Sequence, residues 1–278
     1  MNNLLKGLEY SEDARGTFEY INSKYSDKYE VIWIESKATD TQGFLIHNKK
    51  SNIVKIAFRG TQQLRDWATD FNAFHMVYPY GNENTKIRVH QGIYKAYCSI
   101  RSIIHAFFLC NSNLSLVEID GHSLGGALAK FAAVDIQYNF SNQINIIRGY
   151  TSGAPKIGNS YFAESFNRRC PFIYNTYKHN DWVPYLPPKW FGKIIHKGYS
   201  KAGILNPIGK RNFLLGFLNW YISNRKLNKL LENTANHSIE AYRKDLESLD
   251  IENIGGGYRF VNGKTYWAPE KEISNEIL

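Results

Sequence analysis

The chain has 278 residues, a formal net charge of +9, 43% hydrophobic and 15% aromatic residues, which suits one large α/β domain or two small ones with a sizeable core. Its three cysteines, Cys98, Cys110 and Cys170, give neither a disulfide framework nor a metal-ligand spacing, and no cofactor motif is present. No run approaches the ~20 apolar residues that cross a bilayer, and the N-terminus lacks the apolar core of a secretion signal, so the expected location is cytoplasmic, or external by a signal-independent route.

Taken in order, residues 4–23 read as helix, with Tyr10, Phe18 and Ile21 at packing positions. Val31–Ile34, Gly43–Ile46 and Asn52–Phe58 read as strands, the last running into Arg59-Gly60-Thr61. Residues 62–74 place Leu64, Trp67, Phe71 and Phe74 at helical spacing on one face, either a core-facing surface helix or a short lid. Residues 76–86 read as a loop, and Gln91–Cys110 as a long apolar helix with Cys98 and Cys110 as core residues. His90 at that helix's start and His105 on a packed face are expected to be structural. Asn145–Thr151 and Phe172–Tyr177 are further strands, with a helix over Phe162–Arg168 between them, and His237–Leu249 is the final predicted helix. Strands alternating with helices predict an α/β fold with a mostly parallel central sheet flanked by helices.

The centre of the chain is Gly121-His122-Ser123-Leu124-Gly125, between a strand ending at Ile119 and an Ala- and Leu-rich helix over Gly125–Tyr138. Gly-x-Ser-x-Gly in that setting predicts a sharp strand-to-helix turn: glycines two residues either side let strand and helix pass closely, and the turn lifts the Ser123 hydroxyl to a helix N-terminus. Such a hydroxyl needs a base. In the chain order Ser, acid, His, Asp181 after the Phe172–Tyr177 strand and His237 are the candidates, although Asn236-His237-Ser238 reads equally as a helix start. His179 is too near Asp181 in sequence to reach it easily, and Asp135, three turns into the helix after Ser123, is expected to point away. Thr61, just past a strand, could offer its N–H and hydroxyl to an oxyanion, with the Leu124 N–H opposite, yet Gly60-Thr61 is also an ordinary turn with a helix cap. Thr61, Ser123 and Asp181 each sit beyond a strand's carboxyl end, where sites of open α/β sheets lie.

Seven elements in order resemble one family: Phe58-Arg59-Gly60-Thr61; Asp66-Trp67-x-x-Asp70; Val89-His90-x-Gly92; Gly121-His122-Ser123-Leu124-Gly125-Gly126-Ala127; Gly153-x-Pro155; Asp181-x-Val183-Pro184 with Leu186-Pro187-Pro188; and His237-x-x-x-x-Tyr242. Over roughly residues 30–250 the chain is similar to the class 3, or fungal-type, triacylglycerol lipases. The resemblance implies an α/β-hydrolase fold, Ser123, Asp181 and His237 as triad, Thr61 and Leu124 as oxyanion donors, residues 62–74 as lid, and hydrolysis of lipid esters through an acyl-enzyme with no cofactor or metal. It gives Tyr242 no role.

Where the family reaches its histidine soon after one more strand (here around Lys193–Tyr199), this chain carries residues 201–236 as an apparent insertion into the single 1–278 domain. Nine of the 34 basic residues lie between Trp182 and Leu231, which holds no acid, so this stretch carries the whole charge imbalance. Over Arg211–Leu231, Phe213, Phe217, Trp220, Leu227 and Leu231 share a helical face opposite Asn212, Gly216, Asn219, Ser223 and Lys226. Either the helix packs on the sheet with a solvated basic rim, or residues 201–231 dock on an anionic membrane or form a second lid. Phospholipase A1-type activity and a non-catalytic membrane-binding homologue are the alternative functions. Charge without any nucleic-acid motif speaks against a nucleic-acid partner.

Overall fold

The computed structural model describes residues 3–61, 75–79, 86–187, 198–208, 235–248, 256–261 and 264–269. The expected lid, 62–74, and the expected amphipathic helix, 211–231, lie outside the described residues.

Among the described residues a nine-stranded sheet runs in the order β1-β2-β3-β6-β7-β9-β11-β12-β13. Its strands are β1 (Glu30–Ser36), β2 (Thr41–Asn48), β3 (Ile53–Phe58), β6 (Leu116–His122), β7 (Ile147–Ser152), β9 (Phe172–Lys178), β11 (Ile204–Ile208), β12 (Gly256–Val261) and β13 (Lys264–Pro269). The five strands from β3 to β11 are mutually parallel, and antiparallel pairings continue the sheet at both margins. A mostly parallel sheet flanked by helices is the arrangement that the alternation of strands and helices predicts. A smaller antiparallel sheet joins β10 (Tyr199–Ser200), β8 (Gly158–Asn159), β5 (Arg88–His90) and β4 (His75–Val77). Met76 and Val77 therefore pair with Val89 and Arg88 rather than forming loop.

Helices α3 (Gln91–Cys110), α4 (Leu124–Phe140) and α5 (Ser160–Arg169) bury their apolar residues with the sheet in the largest core cluster, which includes Ile100, Phe108, Ile119, Phe131 and Phe166. Helix α4 is apolar almost all round and buried on nearly every side, as such a composition requires. A second cluster joins Leu4 and Leu8 of α1 (Asn3–Asp13) to Tyr150, Tyr174, Ile204 and Ile208 of the sheet, and to Ile239, Tyr242 and Leu246 of α6 (Ile239–Glu247). The first helical segment is two helices rather than one. After Gly16, Thr17 caps α2 (Phe18–Tyr25) by accepting from the Tyr20 N–H, so Ile21 is buried while Phe18 stays 43% exposed. Cys98 and Cys110 are exposed, on the solvent side of α3, against the expectation that both were core; Cys170 is buried.

Strand β6 lies mid-sheet and is buried on both faces, yet carries Glu118. Its register explains this: Lys55 of β3 and Arg148 of β7 stand directly opposite, and both pair with the Glu118 carboxylate. Burial alone would raise the Glu118 pKa; the two cations outweigh it and hold it below the ordinary value. Two residues on, Asp120 is buried without such a partner. Its Oδ1 accepts from the Tyr150 N–H at 3.1 Å and its Oδ2 has no hydrogen bond, so burial, reinforced by the Glu118 charge, pushes its pKa well up.

Residues 204–208, the beginning of the expected insertion, form a core strand parallel to β9. Residues 209–234 of that segment lie outside the described residues. Among the described residues no helix is long and apolar enough to cross a membrane.

Candidate active site

Strand β6 ends at His122, and Ser123 takes φ 60°, ψ −127° before α4 begins. This conformation is disfavoured for an L-residue and persists only where its surroundings over-determine it. Here they do. A Cβ at Gly121 would stand 2.2 Å from the Gly125 carbonyl oxygen, and one at Gly125 2.2 Å from the Phe58 carbonyl oxygen, so no side chain fits at either position. The Ser123 N–H donates to Ser152 O at 2.8 Å, pinning the turn to the end of β7. The hydroxyl is thereby held at the N-terminus of a 17-residue helix, where the helix dipole favours negative charge.

Strand β9 delivers Asp181 three residues past its end, and a short 3₁₀ turn, Ala235–His237, delivers His237 just before α6. The three side chains converge. His237 Nε2 lies 2.8 Å from Ser123 Oγ, and His237 Nδ1 lies 2.7 Å from Asp181 Oδ2. They are 2%, 2% and 1% exposed for Ser123, His237 and Asp181. An ionised carboxylate only accepts, so Nδ1 carries the imidazole proton and Nε2 presents its lone pair to the serine hydroxyl. The loops bearing Asp181 and His237 are tied together where Asn180 Nδ2 donates to Asn236 Oδ1 at 3.0 Å.

Asp181 is held by more than the histidine. Its Oδ1 accepts from the Val183 N–H at 3.0 Å, and its Oδ2 accepts from the Tyr242 hydroxyl at 2.6 Å. Tyr242 is fully buried on α6, and its oxygen in turn accepts from the Lys178 N–H at 3.1 Å. Burial, and then the Asp181 charge, push the Tyr242 pKa well above the ordinary value, keeping the hydroxyl a donor. The sequence pattern contained Tyr242 but gave no signal that it reaches the acid.

Thr61 follows β3 in the position expected of it. A Cβ at Gly60 would meet His122 O at 2.8 Å and Ser123 Cβ at 3.2 Å, so the Gly60-Thr61 turn lies against the serine, with Leu124 at the first position of α4 beside it. The competing residues lie elsewhere. Asp135 is buried between α3 and α4, bonded to Tyr97 Oη at 2.5 Å, His105 Nε2 at 2.6 Å and Arg101 Nε at 3.0 Å. His179 packs on the Tyr177 ring and donates its N–H to Ile208 O. His90 caps α3, its Nδ1 accepting from the Ile93 N–H at 3.3 Å. Among the described residues no group of three or more His, Cys, Asp or Glu is placed to hold a metal ion. Chemically, the arrangement is a buried serine hydroxyl facing an oriented imidazole that is backed by a carboxylate.

Comparison with known proteins agrees with this architecture. Residues 55–191 match the family described as lipase (class 3). The chain is 29% identical over 163 residues to a lipase of Rhizomucor miehei, covering 57% of this chain and 44% of that one. It is 26% identical over 199 residues to phospholipase A1-IIgamma of Arabidopsis thaliana, covering 62% of this chain and 45% of the plant protein. The chain thus spans less than half the length of either relative. The solved structure of the Rhizomucor miehei triacylglyceride lipase superposes with a TM-score of 0.62 at 23% identity, over 75% of this chain and 80% of that one.

Proposed function

We propose that the chain is a member of the class 3 lipase family and, on that premise, a serine carboxylic-ester hydrolase acting on lipid esters. One observation carries the reading: the unbroken hydrogen-bonded line from Ser123 Oγ through His237 to Asp181, starting at a serine in a strained turn on a helix N-terminus.

The proposed steps use only the chain's own groups. Ser123 Oγ attacks the ester carbonyl carbon while His237 Nε2 takes its proton. Asp181 keeps the imidazole in the required tautomer and stabilises its charged form. The main-chain N–H of Leu124, with the N–H and hydroxyl of Thr61, are the proposed donors to the tetrahedral oxyanion, each worth roughly 3–4 kcal/mol of barrier in comparable sites. His237 then protonates the leaving alcohol, and water, activated by the same imidazole, releases the carboxylic acid from the acyl-serine. Residues 62–74 are the proposed lid, and residues 201–231 the proposed contact with an anionic membrane surface within the 201–236 insertion.

Triacylglycerol-type substrates follow from the family. Phospholipase A1-type activity is the second reading, favoured by the similarity to the plant phospholipase and by the acid-free basic stretch between Trp182 and Leu231. A fluorophosphonate probe tests the chemistry: the wild-type chain should label and Ser123→Ala should not. Labelling that persists in Ser123→Ala defeats the assignment. A chain-length series of p-nitrophenyl esters beside phospholipid vesicles then separates the two substrate classes. Residues 201–231 predict tighter vesicle binding with phosphatidylserine than with neutral lipid, and equal binding counts against them.

A further inference from the structure

A second histidine lies beneath His237, and the chemistry above does not use it. His122 ends β6, is 1% exposed, and its ring centroid is 4.8 Å from that of His237. Its Nε2 stands 2.7 Å from the main-chain carbonyl oxygen of His237, and its Nδ1 3.0 Å from Ser152 Oγ. A carbonyl can only accept, so Nε2 bears the proton, and Nδ1 is left to accept from the Ser152 hydroxyl. Both nitrogens are satisfied by a neutral imidazole in one tautomer. Burial, and then the neighbouring His237, push the His122 pKa well below its ordinary value, which agrees with the neutral form.

The contact spans 115 residues of sequence, between the residue immediately before Ser123 and the main chain of the residue that faces it. It closes a short circuit of fixed parts: Ser123, His122, the His237 carbonyl, the His237 imidazole, and back to Ser123 Oγ. A nucleophile–base distance is only as reproducible as the backbone positions at its two ends. The Ser123 end is fixed by the turn. The His237 end lies in a three-residue 3₁₀ turn, and His122 grips that turn from the sheet side.

We infer that His122 is a positioning residue, clamping the main chain of His237 to the strand that carries Ser123 and so setting the Oγ–Nε2 separation. This rests on Ser123 and His237 being nucleophile and base. A glutamine at 122 extends to a similar reach and keeps an N–H for the carbonyl; phenylalanine fills the space without a donor, and asparagine is polar but too short.

The test uses the full chain and a short-chain p-nitrophenyl ester, with thermal melting to verify folding. His122→Phe should lower kcat about 10²-fold, the penalty expected of a misplaced reacting group, while KM stays within about threefold. Fluorophosphonate labelling should slow by a similar factor but still run to completion. His122→Gln should recover kcat to within about tenfold of wild type. Should His122→Phe fail to fold, His122→Asn replaces it with the same expected loss. Wild-type kcat in the donor-free variant, or a glutamine variant as poor as it, overturns the inference. An active Ser123→Ala sinks the underlying assignment instead, so the two failures are distinguishable.

Discussion

Replacing Gly153 by alanine should injure catalysis far more than stability. Gly153 follows β7, takes φ +60°, and donates its N–H to Thr176 O at 2.9 Å. An added Cβ would stand 2.9 Å from His237 Cε1, 3.2 Å from Asp181 Oδ2 and 3.2 Å from His122 Cε1. Carbon pairs settle at about 3.5–4.0 Å, so the His237 ring must retreat by roughly 0.6–1 Å. A shift of that size in a reacting group lowers rate about 10²-fold. The left-handed φ costs an alanine a further ~1–2 kcal/mol. At about 2–4 °C per kcal/mol for a chain of this class, that is a fall in Tm of roughly 2–8 °C. The assay is kcat and KM on a soluble p-nitrophenyl ester, with the melting curve taken on the same preparation. Because the lost alignment acts in the transition state, kcat should fall and KM should barely move. A folded Gly153→Ala with wild-type kcat, or one impaired only in KM, refutes the reasoning.

Tyr242→Phe deletes one of the three donors to the buried Asp181 and leaves the Lys178 N–H without its acceptor. A loss of about 1.5–3 kcal/mol is expected, read as a lower Cm in urea at unchanged m, and an unchanged Cm contradicts it. Asp120→Asn keeps an acceptor for the Tyr150 N–H and removes a carboxyl whose folded pKa is raised. In the wild type stability is lost as pH rises above the unfolded value near 3.8, because only the unfolded chain then ionises freely. The variant should therefore melt higher than wild type at pH 8 and lose that advantage towards pH 4; an equal difference at both pH values counts against it. Lys130, buried on α4, is pushed down to about 7 by burial. Between that value and the unfolded 10.5 the unfolded chain binds more protons, so wild-type stability rises with pH at up to about 1.4 kcal/mol per unit. Lys130→Met should raise Tm at pH 7, with a gain that narrows towards pH 10, and a pH-independent gain would point to packing alone.

The serine turn was legible because its demand is steric and local: Gly121 and Gly125 appear in the sequence for the same reason that a Cβ at either would strike backbone. The Gln91–Cys110 helix and strands β1, β2, β3, β6, β7 and β9 were legible from apolar periodicity, whereas β11 was read as the start of an insertion. Asp181 and His237 were candidates only, since 56 residues separate them and residue types alone do not show which loops meet. Only the fold brings their side chains within hydrogen-bonding distance of each other and of Ser123. Tyr242 and His122 stood inside recognised patterns, but their contacts depend on how α6 docks and on a main-chain carbonyl, neither of which leaves a mark in the letters. Cys98 and Cys110 were misread because an apolar helix still turns one stripe to water. Strands of two or three residues, as in β8 and β10, are too short to show a period, and β12–β13 gain their meaning only from the free edge of β11.

Leu4 and Leu8 share their apolar cluster with Leu246 and Tyr242, and Glu12 pairs with Arg243, 231 residues further on, so α1 is held by an element made much later. During synthesis α1 meets its first partners in that cluster, Tyr150 and Tyr174 of the sheet, only after more than a hundred further residues have followed, and its α6 partners later still. Nascent chains halted before residue 239 lack the α6 part of this cluster and should recruit chaperones that longer chains do not need.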